Sequence, residues 1–275
     1  MIRIIVVLLF LTGIFTKGFS QTQDPSNAEV LKNYNAPTYF TTLRLDYYFK
    51  ERGSYLYWEG NYNTNPDYAL LSGRYAFYNM IGYEHHAGGK WYLGLSENFR
   101  FDYTKGNNSL ITKFNISHRG KIKSIDFIKE LSAEYLYYLS NSAGQQPNAQ
   151  GRIGLGSALH KKFNFKKSSL GFMFSYRVYL CTDFRDADLS IYSNRTFDLT
   201  RMRFDVYYGI NKNIYVGLFA MRETEYYYTL GGFDSQMNVI PDYRINKITP
   251  TFGLTLNYIF HPENSENIIP GLPFR

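Results

Sequence analysis

The feature that most constrains this chain is a two-residue alternation of apolar and polar side chains, held over runs of ten to thirteen residues. In 91–103, Trp91, Leu93, Leu95, Phe99, Phe101 and Tyr103 share one face. Tyr92, Gly94, Ser96, Asn98, Arg100 and Asp102 share the other. Segments 109–119, 170–181, 198–210 and 248–260 alternate equally clearly, with weaker matches in 39–49, 54–62, 69–85, 124–140, 150–162 and 213–225. No run of helical spacing exceeds two turns. The chain is therefore read as all-β.

A soluble sandwich also alternates, but with strands of about five or six residues. Runs of ten or more are long enough to cross a bilayer at a tilt. Their apolar face is bulky at nearly every step, and their polar face carries Arg, Asp, Ser, Gly and Asn, as a wet or hydrogen-bonded interior requires. Lipid offers no partner to an open sheet edge, so such a sheet must close. Aromatics at 19% (27 Tyr, 22 Phe, 2 Trp) suit a pleated, half-buried surface. A mean hydropathy of −0.34 excludes a bundle of membrane helices. The fold expected is a closed antiparallel transmembrane β-barrel of about twelve strands. Eleven segments are legible; breaking Tyr68–His86 near Asn79 gives twelve, and ten results if a weak N-terminal segment does not span. Glu97 falls outward in mid-strand, which predicts a local bulge that shifts the facing there.

Residues 1–20 have the signature of a cleaved signal peptide: Arg3, a dozen largely apolar residues to Phe15, then Gly18 and Ser20 before Gln21. The run is too short for a membrane-spanning helix. The expected organisation is a signal peptide at 1–20, a periplasmic N-terminal segment at 21–38, the barrel at 39–260 and a periplasmic tail at 261–275. This implies a Gram-negative outer membrane, with its lipid as partner. Cleavage removes Arg3 and Lys17 and no acid, lowering the formal charge from +7 to +5. An exported chain meets no chromosome, so nucleic acid is not an expected partner. Short joins at Ala87–Lys90, Arg119–Ser124, Asn164–Ser168 and Asn211–Asn213 alternate with longer ones at Asn141–Asn148, Asp183–Asn194 and Tyr227–Arg244, as periplasmic turns and outer loops should. Tyr47, Tyr55, Tyr57, Trp58, Trp91, Tyr103, Tyr137 and Tyr226–Tyr228 are read as aromatic belts.

The chemistry-bearing residues do not assemble into a site. Glu84-His85-His86 suggests a metal, but neighbours on a strand face opposite ways and no third ligand is placed nearby. Lipid-hydrolysing barrels need His and Ser two apart on one face; here Ser117 and His118 are adjacent, and His160 has Ala158 two positions away. A lone Cys181 excludes a disulfide framework. No catalytic, cofactor or metal residue is assigned. The inward face carries Arg44, Arg74, Arg100, Lys113, Arg152, Arg177, Arg201, Arg203 and Lys247, with Asp46, Glu84, Asp102, Asp126, Glu130, Glu134 and Asp205. These predict either a ladder of ion pairs filling a narrow lumen, the favoured reading, or a basic-leaning pore that selects small anionic solutes. A non-enzymatic channel or structural and assembly component is expected; the alternatives are a lipase-type or deacylase-type barrel and a secreted β-sandwich binding module.

The strand Trp91-Tyr92-Leu93-Gly94-Leu95…Phe99-Arg100, the Phe19-Ser20 boundary before Gln21 and the Tyr258-Ile259-Phe260 strand end resemble a family of Bacteroidota outer-membrane barrels of unassigned function. The resemblance spans most of the mature chain and implies insertion by the barrel-assembly machinery, which reads an aromatic-ended last strand. It carries over no catalytic residue. Fifteen residues follow Phe260, a departure from barrels that end on the aromatic.

Overall fold

The alternating runs become strands, and the strands pair with their sequence neighbours because short turns make that the cheapest closure. In a computed structural model the described residues are 30–50, 53–65, 74–102, 108–139, 149–183, 199–229, 232–233, 239–240, 243–264 and 269. The strands are β1 (Val30–Tyr34), β2 (Thr38–Tyr48), β3 (Tyr55–Asn65), β4 (Arg74–Gly88), β5 (Trp91–Asp102), β6 (Ser109–Ile122), β7 (Ile125–Tyr138), β8 (Ala149–Asn164), β9 (Ser169–Asp183), β10 (Leu199–Gly209), β11 (Ile214–Thr229), the two-residue β12 (Gly232–Phe233) and β13 (Val239–Ile240), and β14 (Tyr243–Phe260). Strands β2 to β11 pair in order, each antiparallel to the next, and β14 continues from β11.

The barrel closes where β14 meets β2, and that pairing is parallel, from Thr251↔Thr38 to Phe260↔Tyr47. Eleven strands thus form the closed wall, and β1 adds a twelfth to the sheet by pairing parallel with the first part of β14. The twelfth strand is therefore N-terminal. It does not come from a split in Tyr68–His86, since β4 runs unbroken from Arg74 to Gly88. β1 hands over to β2 at Asn35–Pro37, opposite Pro250 of β14, and neither proline has an N–H to give a ladder. Asn35 bridges the gap through its backbone N–H to the Ile248 carbonyl (2.9 Å) and its amide to Thr249 Oγ1 (2.7 Å).

A parallel closure puts the chain ends at opposite rims. Phe260 finishes at the rim of the short joins, whereas Val30 starts at the rim of the long ones. The described ends of the two segments expected on the periplasmic side, Val30 of 21–38 and residues 261–264 of 261–275, lie at opposite rims. The described part of the first, Val30–Tyr34, is wall rather than a free lead-in.

The facing follows the pleat. Leu43, Leu56, Ile81, Leu95, Phe114, Leu131, Leu155, Phe174, Phe204, Leu218 and Leu254 are exposed outward on successive strands around the whole circumference. On β5 this surface runs from Trp91 to Phe101, about 34 Å of strand, which a tilt of about 40° shortens to about 26 Å. Glu97 is outward within it and there is no bulge at that position: β5 is in register with β4 and β6 on either side of Glu97, the one shift of the β4–β5 pair lying at His86/Gly88 by the turn, and Thr112 of β6 donates to the carboxylate, whose oxygens lie at 2.8 and 2.9 Å. A cross-strand hydroxyl, not a shift in facing, accommodates the acid.

Candidate functional site: the barrel interior

Inward positions hold two kinds of partner, aromatic rings over glycines and guanidinium groups on carboxylates. Gly82 lies directly opposite Tyr57, Gly171 opposite Tyr207 and Gly253 opposite Phe219. A Cβ at any of the three would run into the facing ring, so glycine lets the ring lie flat along the wall. Tyr48 and Tyr55 stack at 4.8 Å and, with Tyr207, Tyr215 and Ile259, fill the interior near the short-join rim. Tyr55 and Tyr57 thus point inward and are not part of an outer aromatic belt. Tyr47, Trp91 and Tyr137 are outward and exposed, and Trp58, also outward, donates its indole N–H to Asn79 at 2.6 Å. Tyr103 and the side chains of Tyr227 and Tyr228 lie outside the described residues.

The charged residues assemble into ion-pair groups. On β2, Arg44 donates to Asp46 (2.6 Å) and reaches Glu59 of β3 (3.5 Å), with its guanidinium 4.4 Å from the centre of the Tyr57 ring. Asn257 of β14 donates to the second Asp46 oxygen at 2.9 Å, stitching the parallel seam from inside. On the facing wall, Glu130 of β7 takes both Lys113 (2.9 Å) and Arg177, and Arg177 also approaches Glu134 (3.7 Å). The Tyr179 hydroxyl accepts from Arg177 (3.1 Å) and Arg201 (3.3 Å), and Arg201 continues to Glu223 (2.8 Å). A band of charge thereby runs from β6 to β11, and Lys247–Glu225 (3.4 Å) carries it to β14. Arg203 forks onto Asp205 (2.6 and 2.9 Å) under the Phe219 ring, Arg119 pairs with Glu84, and Arg152 donates to Gln150 (3.0 and 3.2 Å). Arg100 lies over Tyr78 at 5.5 Å. Arg74, Asp102 and Cys181 sit on β4, β5 and β9, with side chains outside the described residues.

The innermost of these groups are dry: Arg44 and Arg177 are each 2% exposed and Glu59 is 3%. Others are wetter, with the Arg201 and Glu223 side chains 21% and 22% exposed and those of Lys247 and Glu225 39% and 33%. A further set of polar residues is different in character. Asn98, Asn115, Ser117 and Ser132, on β5 to β7, bury polar atoms that find no protein partner among the described residues, a chemistry that calls for solvent.

Two features lie beyond what the sequence pattern reached. The first is a hydrogen-bonded chain near the short-join rim. Asp126 accepts from His160 Nδ1 (2.8 Å), and His160 Nε2 meets the Tyr207 hydroxyl. A carboxylate can only accept, so Nδ1 carries a proton, and in the neutral ring Nε2 then accepts from tyrosine. Both ring nitrogens are engaged and neither faces a serine; His160 itself is 1% exposed. Ser117 points inward while His118 packs outward on Trp91 at 4.9 Å, and His85 and His86 lie on opposite faces. Among the described residues no three potential ligands gather as a metal site.

The second is the segment after β14. His261 takes a left-handed φ of 53°, which turns the chain back at the end of the strand. A short 3-10 turn (Pro262–Asn264) follows, and Asn264 accepts from the Gly53 N–H (3.4 Å) while donating to the Tyr48 carbonyl (3.3 Å). Ile269 is then 8% exposed among Ile128, Ala158 and Met173, inward residues of β7, β8 and β9. Asn264 is thus anchored on β2–β3 and Ile269 on β7–β9, well-separated strands of the eleven-strand ring. Ile128, Ala158 and Met173 form an apolar patch apart from the tyrosine cluster, and Ile269 completes it.

The chain matches no protein-family model and no curated protein.

Proposed function

We propose that this protein is an integral outer-membrane β-barrel of Bacteroidota type, non-enzymatic, exported by its N-terminal segment and inserted by the barrel-assembly machinery to serve as a structural or assembly component of the envelope. The observation that carries the reading is the inversion of polarity. A predominantly apolar girdle, with Glu97 held by Thr112 within it, faces out on all eleven wall strands, while ion pairs and tyrosine hydroxyls line the inside. In water such a girdle would far exceed the apolar patch a soluble monomer exposes; about 26 Å of it fits the hydrocarbon layer of a thin outer membrane. Buried ion pairs and a C-terminal segment held at both Asn264 and Ile269 favour a filled interior over an open pore.

A second reading, a narrow channel for small solutes, is favoured by the Asn98, Asn115, Ser117 and Ser132 arc, whose unpartnered polar atoms ask for water. Reconstitution into planar bilayers separates the two. The filled-lumen reading expects no stable conductance from the full chain. Steady conductance refutes it, and reversal of ion preference in Arg177→Glu and Arg203→Glu would then make those two residues pore-lining. Recovery of the protein as a soluble periplasmic species, with no heat-dependent shift in gel mobility, would remove the membrane reading itself.

A further inference from the structure

We infer that the short-join rim is a binding surface for anionic phospholipid headgroups, an inference that rests on the membrane reading above. Each of the five joins at this rim places lysine beside a large apolar residue: Phe49-Lys50 between β2 and β3, Lys90-Trp91 between β4 and β5, Ile122-Lys123 between β6 and β7, Phe165-Lys166-Lys167 between β8 and β9, and Ile210-Asn211-Lys212 between β10 and β11. All six lysines are exposed, and so are Trp91 (52%), Ile122 (51%), Phe165 (59%) and Ile210 (49%). The pairing of side chains is what an interface selects: the apolar member enters the acyl boundary while the ammonium stem reaches the phosphate level.

Position argues against a mere solubilising fringe. The long joins at the other rim lean acidic in sequence, with Asp67, Asp186, Asp188, Asp198, Asp234 and Asp242 against Lys105, Arg185 and Arg195. The lysine-rich composition is therefore particular to the short joins. Within the wall the cations that pair with carboxylates are mostly arginines, whereas the rim ring is lysine, the compact point charge suited to phosphate. Lys123 adds a separate sign. It has a left-handed φ of 56° in a tight Lys123-Ser124 turn, where Asn or Gly would sit without strain. Turn chemistry does not explain a lysine there; a headgroup does. The acids described at this rim are engaged: Asp126 is turned to His160 at 2.8 Å and lies 3.8 Å from Lys121, and Glu263 pairs with His261 at 3.2 Å.

The test uses the full-length protein in phosphatidylcholine vesicles with a trace of spin-labelled phosphatidylglycerol or spin-labelled phosphatidylcholine. Electron spin resonance then gives the relative association of each label with the protein boundary. Phosphatidylglycerol should be preferred about fivefold at low salt, the effect of one lysine near an anionic surface, and the ratio should fall towards one in about 0.5 M salt. The variant K50Q/K90Q/K123Q/K166Q/K167Q/K212Q should show a ratio near one while keeping its heat-dependent gel shift. If it does not fold, K166Q/K167Q alone should lower the ratio measurably. A wild-type ratio of one at low salt overturns the inference, as does a ratio the variants leave unchanged. So does tight binding of polyglutamate alongside a lipid ratio of one, which would assign the ring to an acidic protein. Failure of the membrane reading looks different: neither label shows a restricted component and carbonate releases the protein.

Discussion

Glu130→Gln is the substitution that best tells a filled interior from a wet one. Glu130 is 6% exposed and serves two cations, Lys113 at 2.9 Å and Arg177. At that separation the Lys113 attraction is about 1.4 kcal/mol at the permittivity of water and about 6 kcal/mol at an effective value of 20. Neutralising the acid keeps its shape but strands two buried cations, leaving Arg177 with Glu134 at 3.7 Å. Breaking a buried pair in this way costs about 3–5 kcal/mol. The assay is equilibrium unfolding in urea from lipid vesicles, followed by the heat-dependent gel shift. A second variant separates charge from packing: Lys113→Met, Glu130→Leu, Glu134→Gln and Arg177→Met together remove the whole group and should recover most of the loss, because no member of it keeps a charge without its partner. A Glu130→Gln cost below about 1 kcal/mol, the scale of a solvated pair, would refute the dry-lumen argument and return the channel reading to first place.

Other consequences are as specific. Leu254→Arg, on the exposed girdle, should cost about 2–4 kcal/mol in vesicle unfolding, less if the residue is nearer the interface than its mid-strand position implies. Ser175→Arg, expected from alternation alone to be nearly harmless because it points inward, should instead be comparably costly: Ser175 is 4% exposed, so the arginine would enter a packed interior without a carboxylate. Gly171→Val should lose about 1–3 kcal/mol, since its Cβ displaces the Tyr207 ring, and Tyr207→Ala should suppress that loss in a double-mutant cycle. Ile269→Asp should undock the tail, read as faster proteolytic trimming of the C-terminus and a rise in bilayer conductance; unchanged trimming would mean that Ile269 does not hold the tail.

How much of this was legible in the sequence depends on which interaction set the structure. The facing of 91–103 or 248–260 could be read directly, because a period of two transmits burial into composition with no tertiary information. The ion-pair partners could not. Glu130 meets Arg177 across the intervening strand β8, and strand stagger is not written in either residue's neighbourhood. The same applies to His160 and Tyr207, which lie on β8 and β10. Tyr55 and Tyr57 were misplaced for a related reason. Tyrosine suits both a headgroup belt and a glycine-backed interior slot, and only the cross-strand register, Tyr57 opposite Gly82, distinguishes them. Ile269 carried no legible signal, since an isoleucine in the short mixed run Ile268-Ile269-Pro270-Gly271-Leu272 acquires meaning only from Ile128, Ala158 and Met173.

The odd strand count has a physical origin that links these features. An antiparallel meander of an even number of strands closes with its ends side by side, so N- and C-terminal segments compete for one mouth. Here β14 must be matched along all eighteen of its residues, and β2 with eleven covers only its second part. β1 supplies the rest after a break made at Asn35–Pro37 and Pro250, and the direction of both pairings is forced to be parallel. Val30 is thereby placed at the long-join rim, while the C-terminal segment leaves β14 at the lysine rim. That segment is then free to turn at His261, anchor at Tyr48 and Gly53, and reach the apolar patch on β7–β9. Deleting residues 30–34 should therefore do more than trim an edge. Bare backbone along Arg244–Ile248 would face lipid without partners, a cost of several kcal/mol per orphaned group that the intact barrel avoids. Vesicle unfolding should show a large loss of stability in this deletion. A barrel as stable as the full chain would mean that β1 contributes no closure and that the parallel seam ends at Thr251.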